Sequence, residues 1–229
     1  MNVGLVIKDG IGIGLKNLFP LIGTLILYGL TCWIPYLNVG TTIALVSLPA
    51  AMSRGEAISP TEIFDSKYRK NMGNFFLLAV CYSFAVVIGF LFGIIPGIVL
   101  SYSWFIAFLL LVDKEMNPMQ ALSESNQKTY GHKATIFLSF LILGILYFVL
   151  NAILGMVTSG ASDQMAIEIY GVPCTAFLME GAFMEYFECK AMASGSGFLG
   201  GLISLVLLLL YMPIELGLRA VIYRELTSD

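Results

Sequence analysis

The residues of this chain that can do chemistry are ionisable groups set in apolar surroundings, and they are few. Glu215 lies in Tyr211-Met212-Pro213-Ile214-Glu215, inside a long apolar run, and Arg219 follows one helical turn later. A carboxylate there can respond to a proton or cation beside a helix weakened by Pro213. It can equally pair with Arg219 and reach the membrane surface. Asp113 closes another apolar run. It can orient a helix starting at Pro118, or pair with a base from another loop. His132, the only histidine, sits between Gly131 and Lys133, where a headgroup contact and a pH response are both open. Asn151 falls within an apolar run and reads as a helix-packing amide. A single histidine excludes the paired-histidine zinc motifs, and Gly-x-Ser-x-Gly does not occur. Gly10, Gly12 and Gly14 imitate part of a dinucleotide fingerprint but follow no strand. The expectation is therefore no catalytic residue, no metal site, no cofactor and no enzyme.

Four cysteines divide by position. Cys32 and Cys81 lie in apolar runs as packing residues. Cys174 and Cys189 lie in a loop where a disulfide can form, but a straight helix between them would hold their ends about 22 Å apart. A disulfide and a continuous helix from Thr175 to Met192 are thus alternatives. That loop, 158–196, carries Asp163, Glu168, Glu180, Glu185 and Glu188 against only Lys190. It has no ordered calcium-ligand spacing and reads as a solvated acidic face.

These groups need a scaffold, and the composition names it. Of 229 residues, 58% are hydrophobic and 12% are charged, with a net charge of −3. Too few charges are present to cover a soluble domain, and the balance disfavours nucleic acid. Mean hydropathy is +0.87. A spanning helix needs roughly 20 apolar residues. Leu18–Leu37, Phe75–Ile95, Gly97–Val112, Ala134–Val157 and Phe198–Leu218 qualify, and Val39–Ser53 makes a short sixth after a turn at Asn38-Val39-Gly40. The fold class is all-α: a polytopic bundle of about six spanning helices in a single membrane domain, 1–229, with short interfacial helices.

The charges orient it. With six spans, eleven of the twelve Lys and Arg residues fall on one face and only Lys190 on the other. The positive-inside rule places both termini and the basic loops in the cytoplasm.

Two loops on that face repeat. Ser59-Pro60-Thr61-Glu62 runs on to Lys70 and Gly73, and Asn117-Pro118-Met119-Gln120 to Lys128 and Gly131. A capping residue, a proline at the first helical position and a Glu or Gln two residues later predict a helix of about three turns in each. Phe64, Tyr68 and Met72 would line one, and Met119, Leu122 and Tyr130 the other. The N-terminus, with Val3, Val6, Ile7, Ile11, Leu15 and Leu18, approximates a third copy.

Further motifs complete the pattern. Gly93-Ile94-Ile95-Pro96-Gly97 reads as a tight turn between spans, built on Pro96 and Gly97. Tyr102-Ser103-Trp104-Phe105-Ile106-Ala107, Leu111-Val112-Asp113-Lys114, Ala121-Leu122 with Ser125, Thr129-Tyr130-Gly131-His132-Lys133 and Ala220-Val221-Ile222-Tyr223-Arg224-Glu225-Leu226 follow. Tyr223 and Arg224 read as an interfacial anchor. Together these motifs resemble a broad family of uncharacterised bacterial multi-pass membrane proteins, similar to the membrane domain beside some glycerophosphodiester phosphodiesterases. The resemblance implies a six-helix membrane fold and no agreed activity.

The function expected is a non-enzymatic component of the bacterial cytoplasmic membrane: structural, regulatory or partner-binding. Its partners are the lipid bilayer and a membrane protein or further copies of itself. The alternative is a small-solute or ion transporter or channel using Glu215.

Overall fold

A computed structural model describes residues 1–170 and 195–228. The chain is all-α, and no strand occurs among the described residues. The helices are α1 (Val3–Lys16), α2 (Leu18–Thr31), α3 (Pro35–Ser53), α4 (Lys67–Lys70), α5 (Met72–Phe92), α6 (Ile94–Ser103), α7 (Ala107–Asp113), α8 (Pro118–Thr129), α9 (Lys133–Tyr170) and α10 (Gly195–Thr227). A 3-10 turn covers Pro60–Phe64. Five segments are long and apolar enough to cross a membrane: Pro35–Ser53, Met72–Phe92, Ile94–Asp113, Lys133–Val157 and Gly200–Thr227. A sixth is reached by joining α1 and α2, which meet at a 72° bend.

The boundaries differ from expectation where proline chemistry decides them. The expected span Leu18–Leu37 ends at Thr31, because Pro35 opens the next helix at a position that needs no N–H partner. The weak span Val39–Ser53 thereby lengthens to Pro35–Ser53, and Asn38-Val39-Gly40 lies inside it rather than in a turn. The reversal between α5 and α6 falls on Gly93 alone, whose φ of 144° suits a residue without a side chain. Pro96 and Gly97 belong instead to the first turn of α6. Gly97 permits close packing there, since a Cβ on it would lie 2.5 Å from the Phe90 ring.

The two cytoplasmic repeats fold differently. The second forms the expected three-turn helix, α8, capped by Asn117, whose Oδ1 accepts from the Met119 N–H at 3.2 Å. Its buried face is Ala121, Leu122, Ser125 and Thr129, while Met119 and Tyr130 are exposed. The first repeat breaks into the 3-10 turn and α4. Asp65 accepts from the Lys67 N–H at 2.9 Å and so starts a new turn. Ser59 makes no cap bond to the backbone, and Gly73 lies within α5.

Contacts divide the chain into two compact units, 1–143 with 212–229, and 144–211. In the first, Leu21, Leu48, Met52, Ile58 and Ala220 form a buried cluster. Here α1 packs on the C-terminal part of α10 through glycines. A Cβ at Gly14 would lie 2.6 Å from the Pro213 carbonyl oxygen, and one at Gly10 would lie 2.9 Å from Leu218 Cα. Gly217 faces Gly10 and Gly14 in return. Lipid tails are as apolar as leucine, so close backbone approach is a main source of helix association in a bilayer. In the second unit, the tilted rings of Tyr147 and Tyr211 meet at 4.4 Å between α9 and α10. Residues 158–170 and 195–196, expected in the outer loop, continue these helices. Cys174, Cys189 and the expected Thr175–Met192 helix lie outside the described residues.

Candidate functional site

Asp113, the last residue of α7, is the hub of a polar junction. The Arg54 guanidinium, just past α3, donates to one carboxylate oxygen, and the Tyr223 hydroxyl donates to the other at 2.7 Å. Of the two roles expected for Asp113, this is the pairing with a base from another loop. Tyr223 is only 2% exposed, so it is a buried partner and not the interfacial anchor expected. Arg54 also grips Glu56 through two bonds, at 2.6 and 3.2 Å. The bond to Glu56 holds the Arg54 pKa above its ordinary value, and Asp113 adds to it. Arg54 lowers the pKa of Glu56 in turn.

Glu62 organises the neighbouring turn. Its Oε1 accepts from Lys67 Nζ at 2.7 Å and from the Tyr68 hydroxyl at 3.1 Å. These bonds use the carboxylate that was expected to complete a capping box. The bond to Glu62 raises the pKa of Lys67. Burial, followed by the charge of Glu62, raises that of Tyr68. Both ion-pair sets border a cavity of about 180 Å³ with Ser47 and Asn71.

A second polar set lies at the break between α6 and α7. The Ser103 carbonyl accepts from the hydroxyls of Ser125, at 2.9 Å, and Thr129, at 3.1 Å. Those side chains satisfy a backbone oxygen freed where the helix is interrupted, as a low-dielectric setting demands. Lys133 Nζ donates to Ser103 Oγ at 2.5 Å and to Asn126 Oδ1 at 3.0 Å. A serine beside a lysine invites comparison with a nucleophile and its base, but the protons run the wrong way. Ser103 Oγ already donates to the Val99 carbonyl at 2.6 Å and accepts from the ammonium. The pair braces the break.

Glu215 and Arg219 pair at 2.5 Å as their spacing implies. The Arg219 guanidinium lies over the rings of Phe105 and Phe140, at 5.6 and 6.0 Å, so aromatic faces hold it as well. Asn151 accepts from Ser204 Oγ at 2.8 Å, joining α9 to α10. His132 borders a second cavity, of about 720 Å³, with Gln120, Glu124, Gln127, Lys128 and Glu225. Asp9 and Arg224 pair at 3.3 Å and tie the N-terminal helix to the last one. Among the described residues, no group of three or more His, Cys, Asp or Glu is placed to hold a metal.

Sequence reasoning singled out Asp113 but missed its partners, Arg54 and Tyr223. It also missed the convergence of Ser103, Ser125, Thr129 and Lys133. All but Arg54 stand in the motifs that carry the family resemblance, so the motif positions themselves were the available signal.

The helices and their apolar lengths define a multi-pass helical membrane protein. No family model, no curated protein and no solved structure matches this chain.

Proposed function

We propose that this chain is a non-enzymatic, partner-binding or regulatory component of the bacterial cytoplasmic membrane, with its basic loops and both termini in the cytoplasm. The observation that carries this reading is the braced end of the first unit. Arg54, Asp113 and Tyr223 join a loop, a helix end and the C-terminal helix into one platform. Beside them α8 and Glu225 border the open cavity of about 720 Å³. A polar, concave surface is suited to docking a protein segment. The eleven basic residues that a six-span topology puts on one face support its cytoplasmic placement. Kinship with the membrane domain of glycerophosphodiester phosphodiesterases belongs to the same proposal and rests on the motifs above.

Affinity capture of the full chain from native membranes tests the reading, with Glu124→Lys and Glu225→Lys as cavity-wall variants. A partner lost from both variants supports it. Turnover of a lipid, or movement of a solute, by the purified protein alone would refute it.

A second reading is a small-solute or ion transporter. The interrupted Ile94–Asp113 span and the Glu215–Arg219 pair within the last span favour it. Flux in reconstituted vesicles tests that alternative.

A further inference from the structure

We propose that the cavity of about 720 Å³ takes a partner segment with a basic side chain between apolar ones, the cation being held by Glu225. The proposal rests on the docking reading above and names the chemistry of the occupant. The cavity is walled by α8, the turn after it and the end of α10. Gln120, Glu124 and Gln127 come from α8, and Glu225 and Leu226 from α10. Both walls are tied from behind. Ser125 and Thr129, on the buried face of α8, donate to the Ser103 carbonyl. Tyr223 and Arg224 tie the end of α10 to Asp113 and Asp9. The cavity is therefore formed before a segment arrives, and less ordering is lost on binding.

The charges around it select the occupant. Lys114 is committed to Glu124 at 3.8 Å, and Arg224 to Asp9 at 3.3 Å. Glu225 is partly buried and forms no ion pair among the described residues. A carboxylate only accepts hydrogen bonds. A guanidinium or ammonium group supplies donors and the opposite charge together. Met116 and Leu226 line the same cavity and offer apolar surface to the residues flanking the cation. Gln120 and Gln127 add amides that can bond to the segment's backbone. Lys128 lines the cavity as well, and its charge disfavours a polybasic segment.

Anisotropy titrations of the detergent-purified full chain test the proposal, with empty micelles as the blank. The probes are short labelled peptides that differ only in a central arginine, glutamine or glutamate between leucines. The arginine peptide should bind about tenfold more tightly than the glutamine peptide, and the glutamate peptide more weakly than either. Glu225→Gln should bring the arginine peptide to the level of the glutamine one. Gln127→Trp fills the cavity from the opposite wall and should weaken the arginine peptide too; it decides the matter if Glu225→Gln does not fold. Equal binding of the arginine and glutamine peptides would overturn the proposal, as would an unchanged arginine preference in folded Glu225→Gln or full binding in folded Gln127→Trp. If no peptide binds while a crosslinking group at Gln127 still captures a protein, the docking reading stands and the basic occupant is wrong.

Discussion

The phenol of Tyr223 donates to the carboxylate of Asp113 at 2.7 Å, across 110 residues of sequence. The same carboxylate receives Arg54, so one side chain unites the first loop, the end of α7 and the last helix.

Tyr223→Phe removes that donor and keeps the ring. A hydrogen bond to a charged group contributes about 1.5–3 kcal/mol, so a clear fall in the thermal unfolding midpoint in detergent is expected. Tyr82→Phe, whose ring contacts Trp104 and Phe108, is the control and should change the midpoint little.

Gly10 and Gly14 of α1 pack against the last helix, and Gly12 does not. Gly14→Ala and Gly217→Ala force backbone apart and should cost about 1–3 kcal/mol or more. Gly12 has open space around its missing Cβ, so Gly12→Ala should be neutral or stabilise by up to about 1 kcal/mol. Chemical unfolding of the three variants in one detergent checks the order. A Gly12→Ala as damaging as Gly217→Ala would count against the packing described.

The pH profile of stability should have two limbs. Arg54 lowers the pKa of Glu56, so its contribution is present above the unfolded value of about 4.3 and lost as pH falls through the folded one. Lys67 is raised by Glu62, and Tyr68 by burial. Their contributions are present below about pH 10 and lost as pH rises through the folded values. Glu56 and Lys67 are about half exposed, so each effect is small. Glu56→Gln should flatten the acid limb alone, and Lys67→Met the alkaline one, in melts taken across the range.

If the transport reading holds, Glu215→Gln should reduce flux in reconstituted vesicles at least tenfold. Flux unchanged by the substitution would remove Glu215 from any mechanism. The ion pair at 2.5 Å would then be a structural tie over Phe105 and Phe140.

Local chemistry was legible in the sequence and distant partnership was not. Asn117-Pro118 announced α8 because a cap and a first-turn proline act within one turn. Ser59-Pro60 carries the same signature, yet Glu62 turns to Lys67 and Tyr68, and Asp65 restarts the chain. The apolar runs gave most spans, but Pro35 moved a boundary by several residues. Gly10 and Gly14 resembled only a fragment of a dinucleotide fingerprint, because the surface they fit lies near Gly217, at the other end of the chain. Tyr223 resembled an anchor, since an aromatic ring near the end of a span says nothing of a carboxylate 110 residues away.

The basic-loop end is proposed as a docking platform. A photo-crosslinking residue placed at Gln127, on the wall of the larger cavity, tests it in native membranes. One discrete protein adduct is expected, and it should be absent when the same group is placed at Val87, on the exposed face of α5. Only unlinked chain from Gln127, or the same adducts from both positions, would contradict it.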